Sequence, residues 1–245
     1  VAVRAVDVVV VVPARYASTR FPGKALAPLG GSTVIERTVA RCYEVVDREQ
    51  VVVATDDDRI RERCEAAGIR VAMTSDTCRT GTDRVAEVAE SIPAEWYVNV
   101  QGDEPFLEPS ALQAVIDACA TTNADVINAY APIEDEDSFR SPTVPKVVTR
   151  PDGRLLYISR AGIPTTKELT FERAVRQIGL YAFRPDALRR YAATERGALE
   201  ELEDVEILRF LELGMEVAMI EVSNPGIAID VPEDLVRAQA FIERT

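Results

Sequence analysis

The chain has 245 residues, with 28 Lys+Arg, 41 Asp+Glu, no histidine and a formal net charge of −13. Its 47% hydrophobic content suffices for the core of one domain, while the acidic balance argues against a nucleic-acid or anionic-membrane binder. The missing histidine excludes Ser-His-Asp triads, Cys-His dyads and histidine proton shuttles, leaving Arg, Lys, carboxylates, hydroxyls, backbone amides or an oxygen-held metal to do chemistry.

Residues 7–12 form a β-branched run broken by Pro13, the pattern of a strand buried on both faces. Residues 14–32, rich in Gly, Pro and Ser, read as a loop. The stretch 33–44 sets Val34, Ile35, Thr38, Val39 and Cys42 along one helical face. Alternation continues with a strand at 50–54, a helix at 57–67 ended by Gly68, and a strand at 69–73. A helix at 82–91, a strand at 96–100 and a helix at 110–121 opened by Pro109 follow. Such alternation predicts an α/β fold with a mainly parallel, doubly wound, Rossmann-like sheet.

From about Ala124 the pattern changes. Residues 125–131, 146–149, 154–159 and 177–183 read as strands joined by turns such as Pro151-Asp152-Gly153. They predict a small antiparallel extension over residues 124–184 within a single domain of residues 1–245. Helices return at 185–192 and 200–213, a strand at 216–222, and a helix at 232–244 closes the chain.

Only Lys24, Lys146 and Lys167 are lysines, an arginine bias that GC-rich coding explains without a functional role for most of them. Cys42, Cys64, Cys78 and Cys119 show no CxxC pair and are expected as free thiols. With no membrane-length apolar run and no signal-like N-terminal pattern, the protein is expected to be soluble and cytoplasmic.

Ligands in open α/β sheets bind beyond the carboxyl ends of the strands, and three post-strand loops stand out there. The first, residues 13–24, carries Arg15, Ser18, Thr19, Arg20, Gly23 and Lys24, and no acid occurs between Val8 and Ile35. An even spread would place about five acids in that stretch. Guanidinium forks and a lysine point charge in an acid-free loop suit a polyphosphate. The loop is neither GxGxxG nor GxxxxGK[ST], which disfavours a dinucleotide enzyme and a P-loop ATPase. In the second, Asn99-Val100-Gln101-Gly102-Asp103-Glu104-Pro105, a carboxylate at a strand end is placed to hold Mg²⁺, though such a sequence alone is more often a turn. In the third, Asp230 precedes a helix, where an N-cap is the simpler role. Together the cationic loop and the two carboxylates suit a metal–triphosphate site.

The ordered motifs P-A-R-x-x-S-T-R-x-P-G-K, T-G-T-D-R at residues 80–84, N-V-Q-G-D-E-P, S-R-A at 159–161 and I-D-x-P-E-D-L resemble the 3-deoxy-manno-octulosonate (Kdo) cytidylyltransferases across residues 8–242. That family forms CMP-sugars from CTP and Kdo, with release of pyrophosphate, on a nucleotidyltransferase fold that dimerises through its later region. The resemblance implies that Pro13, Ala14, Arg15, Ser18, Arg20, Lys24, Arg79, Thr80 and Gly81 bind the nucleotide, with Thr80 and Gly81 bordering the cytosine. It implies Mg²⁺ on Asp103 and Asp230, catalytic roles for Arg15, Lys24 and Asp103, and an acceptor site of Gln101, Arg160, Gln177, Tyr181 and Glu206. CTP, a small acidic acceptor and a second copy of the chain are the implied partners.

Departures from the family gather on the acceptor side. Gln177 stands where the family has histidine, and Ile207 where it usually has glutamine, a swap worth roughly 1–3 kcal/mol if that amide met a sugar hydroxyl. Arg79 replaces a usual glutamine, and residues 165–168 lack the family's aromatic and acidic stretch. Losses confined to the sugar pocket favour a changed acceptor, and the arginine bias suggests a high-GC actinobacterial source; similarity to cytidylyltransferases of phosphonate antibiotic pathways implies phosphonoformate as that acceptor, with Arg160 as its carboxylate anchor. Kdo itself is the alternative. A catalytically silent CTP-binding regulatory protein is the alternative of another class.

Overall fold

The first strand shows how the sheet is built. Every residue of β1 (Val8–Pro13) is buried. Val8, Val10 and Val12 join a cluster with Ile35, Val39, Leu112 and Val115, whereas Val9 and Val11 join another with Val85, Val88 and Phe210. Alternate side chains of one strand therefore enter two different cores, so both faces of the sheet are covered. The computed structural model describes residues 6–18, 20–223, 226 and 228–244.

A two-stranded hairpin of β2 (Pro28–Leu29) and β3 (Ser32–Thr33) lies inside the stretch read as loop. The alternation then runs α1 (Val34–Tyr43), β4 (Val51–Thr55), α2 (Asp58–Ala66), β5 (Val71–Met73), α3 (Gly81–Ser91), β6 (Trp96–Val100) and α4 (Pro109–Cys119). β7 (Val126–Ile133), α5 (Glu136–Arg140), β8 (Lys146–Thr149), β9 (Leu155–Ser159) and β10 (Ala174–Phe183) follow. The chain closes with α6 (Pro185–Ala192), α7 (Ala198–Glu203), α8 (Ile207–Glu212), β11 (Val217–Glu221) and α9 (Pro232–Ile242).

The main sheet has the order β11-β7-β10-β6-β1-β4-β5. β1 pairs in parallel with β4 and β6, β4 with β5, and β11 with β7. β10 runs antiparallel to both β6 and β7, inside the sheet and not at its edge. The stretch 124–184 thus gives two strands to the body of the sheet, and only β8 and β9 branch from β10. It is also not free of helix. The short α5, capped by Asp135, escapes a periodicity search because it has a single buried apolar residue, Phe139.

The helix expected at 200–213 is two helices. Asp204 takes a left-handed conformation (φ 49°) and ends α7, a geometry Asp tolerates better than most residues. All four cysteines are free; burial pushes the Cys42, Cys64 and Cys119 thiols up to about 12. Among the described residues, no helix is long and apolar enough to cross a membrane.

Candidate active site

Chain contacts of short range bring the three loops together. The loop after β1 folds around Tyr16, whose carbonyl accepts from Ser18 N at 2.9 Å and Gly23 N at 2.8 Å. The Arg59 guanidinium lies over the Tyr16 ring, 3.3 Å from its centroid. The loop after β6 presses against the end of β1 at Gly102, where a Cβ would stand 2.7 Å from the Pro13 carbonyl oxygen, so only glycine fits. The third loop is tied to the second by Ile229 N donating to Asp103 O at 2.8 Å. Thr19, Pro225 and Ile227 of the first and third loops lie outside the described residues.

Asp230 is not the cap of α9. The backbone amides of Asp230 and Val231 donate to Asp234 Oδ2 at 2.8 and 3.0 Å, so Asp234 does that work and Asp230 is left facing cations. Arg20 Nη2 reaches Asp230 at 2.8 Å, and Lys24 Nζ contacts Asp103 while lying 3.7 Å from Asp230.

A cavity of about 390 Å³ opens here. Pro13, Ala14, Arg15, Ser18, Arg20, Lys24, Arg79, Thr80 and Gly81 all line it, as do Asp103 and Asp230. Of the residues expected to face the acceptor, Gln101 and Glu206 line it, whereas Arg160, Gln177 and Tyr181 do not. Arg196 and Asp204 also line it and have no signal in the sequence, because their placement depends on the break between α7 and α8.

The wall at α3 is built by capping. Thr80 Oγ1 accepts from Asp83 N at 3.1 Å, and the Asp83 carboxylate accepts from Thr80 N at 2.9 Å. Glu206 accepts from Thr82 N at 3.1 Å, which places its carboxylate at the amino end of the helix; desolvation nonetheless pushes its pKa up. A column of stacked rings, Tyr181–Phe183–Phe210–Tyr191, ends with Tyr191 OH 3.3 Å from Thr80 Oγ1. Arg84 of the T-G-T-D-R motif is structural: it is buried, 3.2 Å from Asp56, and donates to Thr74 Oγ1 at 2.6 Å.

Glu104, next to Asp103, is a further carboxyl that the motif contained and the site assignment omitted. Burial, then the neighbouring charges of Asp103 and Asp230, push it up to about 8. Its buried Oε2 has no hydrogen-bond partner among the described residues.

Arg160, Gln177 and Tyr181 of the expected acceptor site, and the departure at Ile207, lie off the cavity wall and make other contacts. Arg160 donates from Nε to Glu203 O, from Nη1 to Pro142 O at 2.8 Å and from Nη2 to Asp204 O at 2.9 Å, so its fork is engaged by main chain. Gln177 Nε2 donates to Asn128 Oδ1 at 3.0 Å, inside the sheet. Ile207 is fully buried in the core that also holds Phe210 and Leu208, where a hydrocarbon is the favourable choice. Tyr181 pairs with Asn99 across β10 and β6 and belongs to the ring column.

A mainly parallel α/β sheet whose cationic loop and carboxylates meet at the strand ends defines a nucleotidyltransferase, and residues 9–217 match the family model described as Cytidylyltransferase. The chain is 40% identical over 246 residues to the 3-deoxy-manno-octulosonate cytidylyltransferase of Syntrophotalea carbinolica, covering 96% of this chain and 98% of that one. It is 42% identical over 236 residues to the enzyme of the same name from Myxococcus xanthus, covering 96% of each. A solved structure of CMP:2-keto-3-deoxy-manno-octonic acid synthetase complexed with CTP matches with a TM-score of 0.91 at 32% identity, over 97% of this chain and 98% of that one. The chain belongs to the 3-deoxy-manno-octulosonate cytidylyltransferase family and is a cytidylyltransferase.

Proposed function

We propose that the enzyme transfers CMP from CTP to Kdo. The observation that carries this reading is the convergence of the acid-free loop with Asp103 and Asp230 in one cavity, in a chain whose relatives bear the Kdo name. A Kdo hydroxyl oxygen attacks the α-phosphorus, a new P–O bond forms as the hydroxyl proton passes to solvent, and the α–β bridging P–O bond breaks to release pyrophosphate. Arg15, Arg20 and Lys24 neutralise charge that builds on the phosphate oxygens, and Ser18 adds a hydroxyl donor. Thr80 and Gly81 border the base. Gln101 and Glu206 face the acceptor.

Asp103 and Asp230 fit Mg²⁺ as a pair, since both approach the single Lys24 cation. Among the described residues no cluster of three His, Cys, Asp or Glu side chains could hold an ion, so phosphate oxygens would complete its shell. When bound, the ion supplies charge neutralisation at the phosphates.

The relatives back Kdo over phosphonoformate. Two departures that favoured a small di-acid, Gln177 and Ile207, lie off the cavity wall, which removes their weight as acceptor signals. The reading includes a cytoplasmic homodimer formed through the extension of residues 124–184, where Leu156 of β9 and Leu169 of the link to β10 are 53% and 65% exposed. Pyrophosphate release from CTP and Mg²⁺ with Kdo, sialic acid, phosphonoformate or phosphonoacetate tests the acceptor. Kdo is expected to turn over fastest; turnover of phosphonoformate alone overturns the reading.

A further inference from the structure

We propose that Arg196 receives the carboxylate of the acceptor. The assignment rests on the transfer reading above and adds a residue that neither motif nor resemblance provides. An acid acceptor placed beside a triphosphate needs a cation of its own, since the loop cations are taken by phosphate. Arg160 is the less favourable choice, because each of its three guanidinium nitrogens donates to a main-chain carbonyl and it does not line the cavity.

Arg196 comes from the link between α6 and α7, not from the loop after β1, and lines the cavity with Asp204 and Glu206. It also lines an adjoining cavity of about 620 Å³, and Arg79 is likewise shared by the two. One nitrogen anchors it: Nη2 donates to Glu200 O at 3.1 Å and to Asp204 Oδ1 at 3.0 Å. Its Nε is buried without a hydrogen-bond partner, and Nη1 has none among the described residues. The nearest carboxylate to Nε, that of Glu200 at 3.4 Å, already accepts from Nε and Nη2 of Arg209. Arg196 is thus a cation held in place by Asp204 and Glu200, with Nη1 left over among the described residues, and a guanidinium donor without a protein acceptor is free to take a ligand or water. The residue that holds it, Asp204, is itself fixed by the left-handed turn between α7 and α8.

The test compares the unaltered enzyme with Arg196→Gln and Arg196→Lys, using the acid that the pyrophosphate assay selects and the methyl ester of that acid. Arg196→Gln is expected to raise the acceptor KM roughly 10- to 100-fold, with the CTP KM and the Tm unchanged and partial rescue by Lys. With the methyl ester, the unaltered and Gln enzymes should have the same KM. An unchanged acceptor KM, an equal rise in the CTP KM, or an undiminished penalty with the ester overturns the assignment. If the unaltered enzyme releases no pyrophosphate with any acid, the transfer reading itself fails and takes this one with it.

Discussion

The Lys24 ammonium contacts the Asp103 carboxylate and lies 3.7 Å from that of Asp230, so a cation of the chain itself sits between the two carboxylates proposed to hold a metal. Triphosphate and metal ion would each have to separate this pair, and each frees the partner that the other needs. The two ligands should therefore bind with mutual reinforcement.

Lys24→Met is expected to tighten Mn²⁺ binding in the absence of nucleotide by several-fold, because a competing cation is removed, while weakening CTP. Titration of Mn²⁺ by electron paramagnetic resonance, with and without CTP, reads both effects. Mn²⁺ affinity that does not change would mean that the ion pair is no obstacle to the metal.

Asp103→Ala is expected to lower Mg²⁺-dependent turnover by at least about 100-fold with the fold intact. The main-chain link from Ile229 N to Asp103 O does not depend on the side chain, so circular dichroism and Tm should be close to those of the unaltered enzyme. Full activity in this variant would rule out the metal role.

Glu104 gives the chain a pH dependence of known sign. Its ordinary value is 4.5 and the fold raises it to about 8. Between these limits the folded chain keeps a proton that the unfolded chain releases, so stability falls as pH rises, by up to a few kcal/mol. Urea unfolding in EDTA at several pH values, compared with Glu104→Gln, should show the variant free of this slope. Parallel curves for the two proteins would exclude Glu104 as the source.

Lys146 is fully buried and donates to the carbonyls of Ser141, Val144 and Arg160 at 2.8, 2.6 and 2.7 Å. Lys146→Met leaves the half-buried Val144 and Arg160 carbonyls without this donor, while Ser141 O keeps its bond from Val144 N, and is expected to destabilise the protein by about 2 kcal/mol. A change below about 1 kcal/mol would show that water replaces the ammonium without loss.

The nucleotide side of the cavity was legible because its residues are adjacent in sequence. Arg15, Ser18, Arg20 and Lys24 share one loop after one strand, and an acid-free stretch is visible without knowing any contact. The acceptor side was not, because it is assembled from distant segments. Arg160 and Gln177 sit in motifs yet turn to the main chain and to Asn128, whereas Arg196 and Asp204 reach the cavity only because the chain breaks at residue 204. A helical period running through 200–213 hides that break, since Ile207, Leu208 and Phe210 keep the spacing of one long helix. β10 was legible as a strand but not as an interior one, because pairing partners are set by tertiary contacts.

The reversed direction of β10 has a consequence for how such a chain can diversify. Six strands of the main sheet run one way, and β10 alone meets their carboxyl edge with its amino end, where Ala174 pairs with Ile133. The stretch between those two residues carries β8 and β9, which join the sheet through β10. Changes in the exposed turns and loops of residues 134–173, outside β8 and β9, can therefore remodel that rim while β1, β6 and their loops stay in register, which separates the evolutionary fate of the rim from that of the nucleotide cradle.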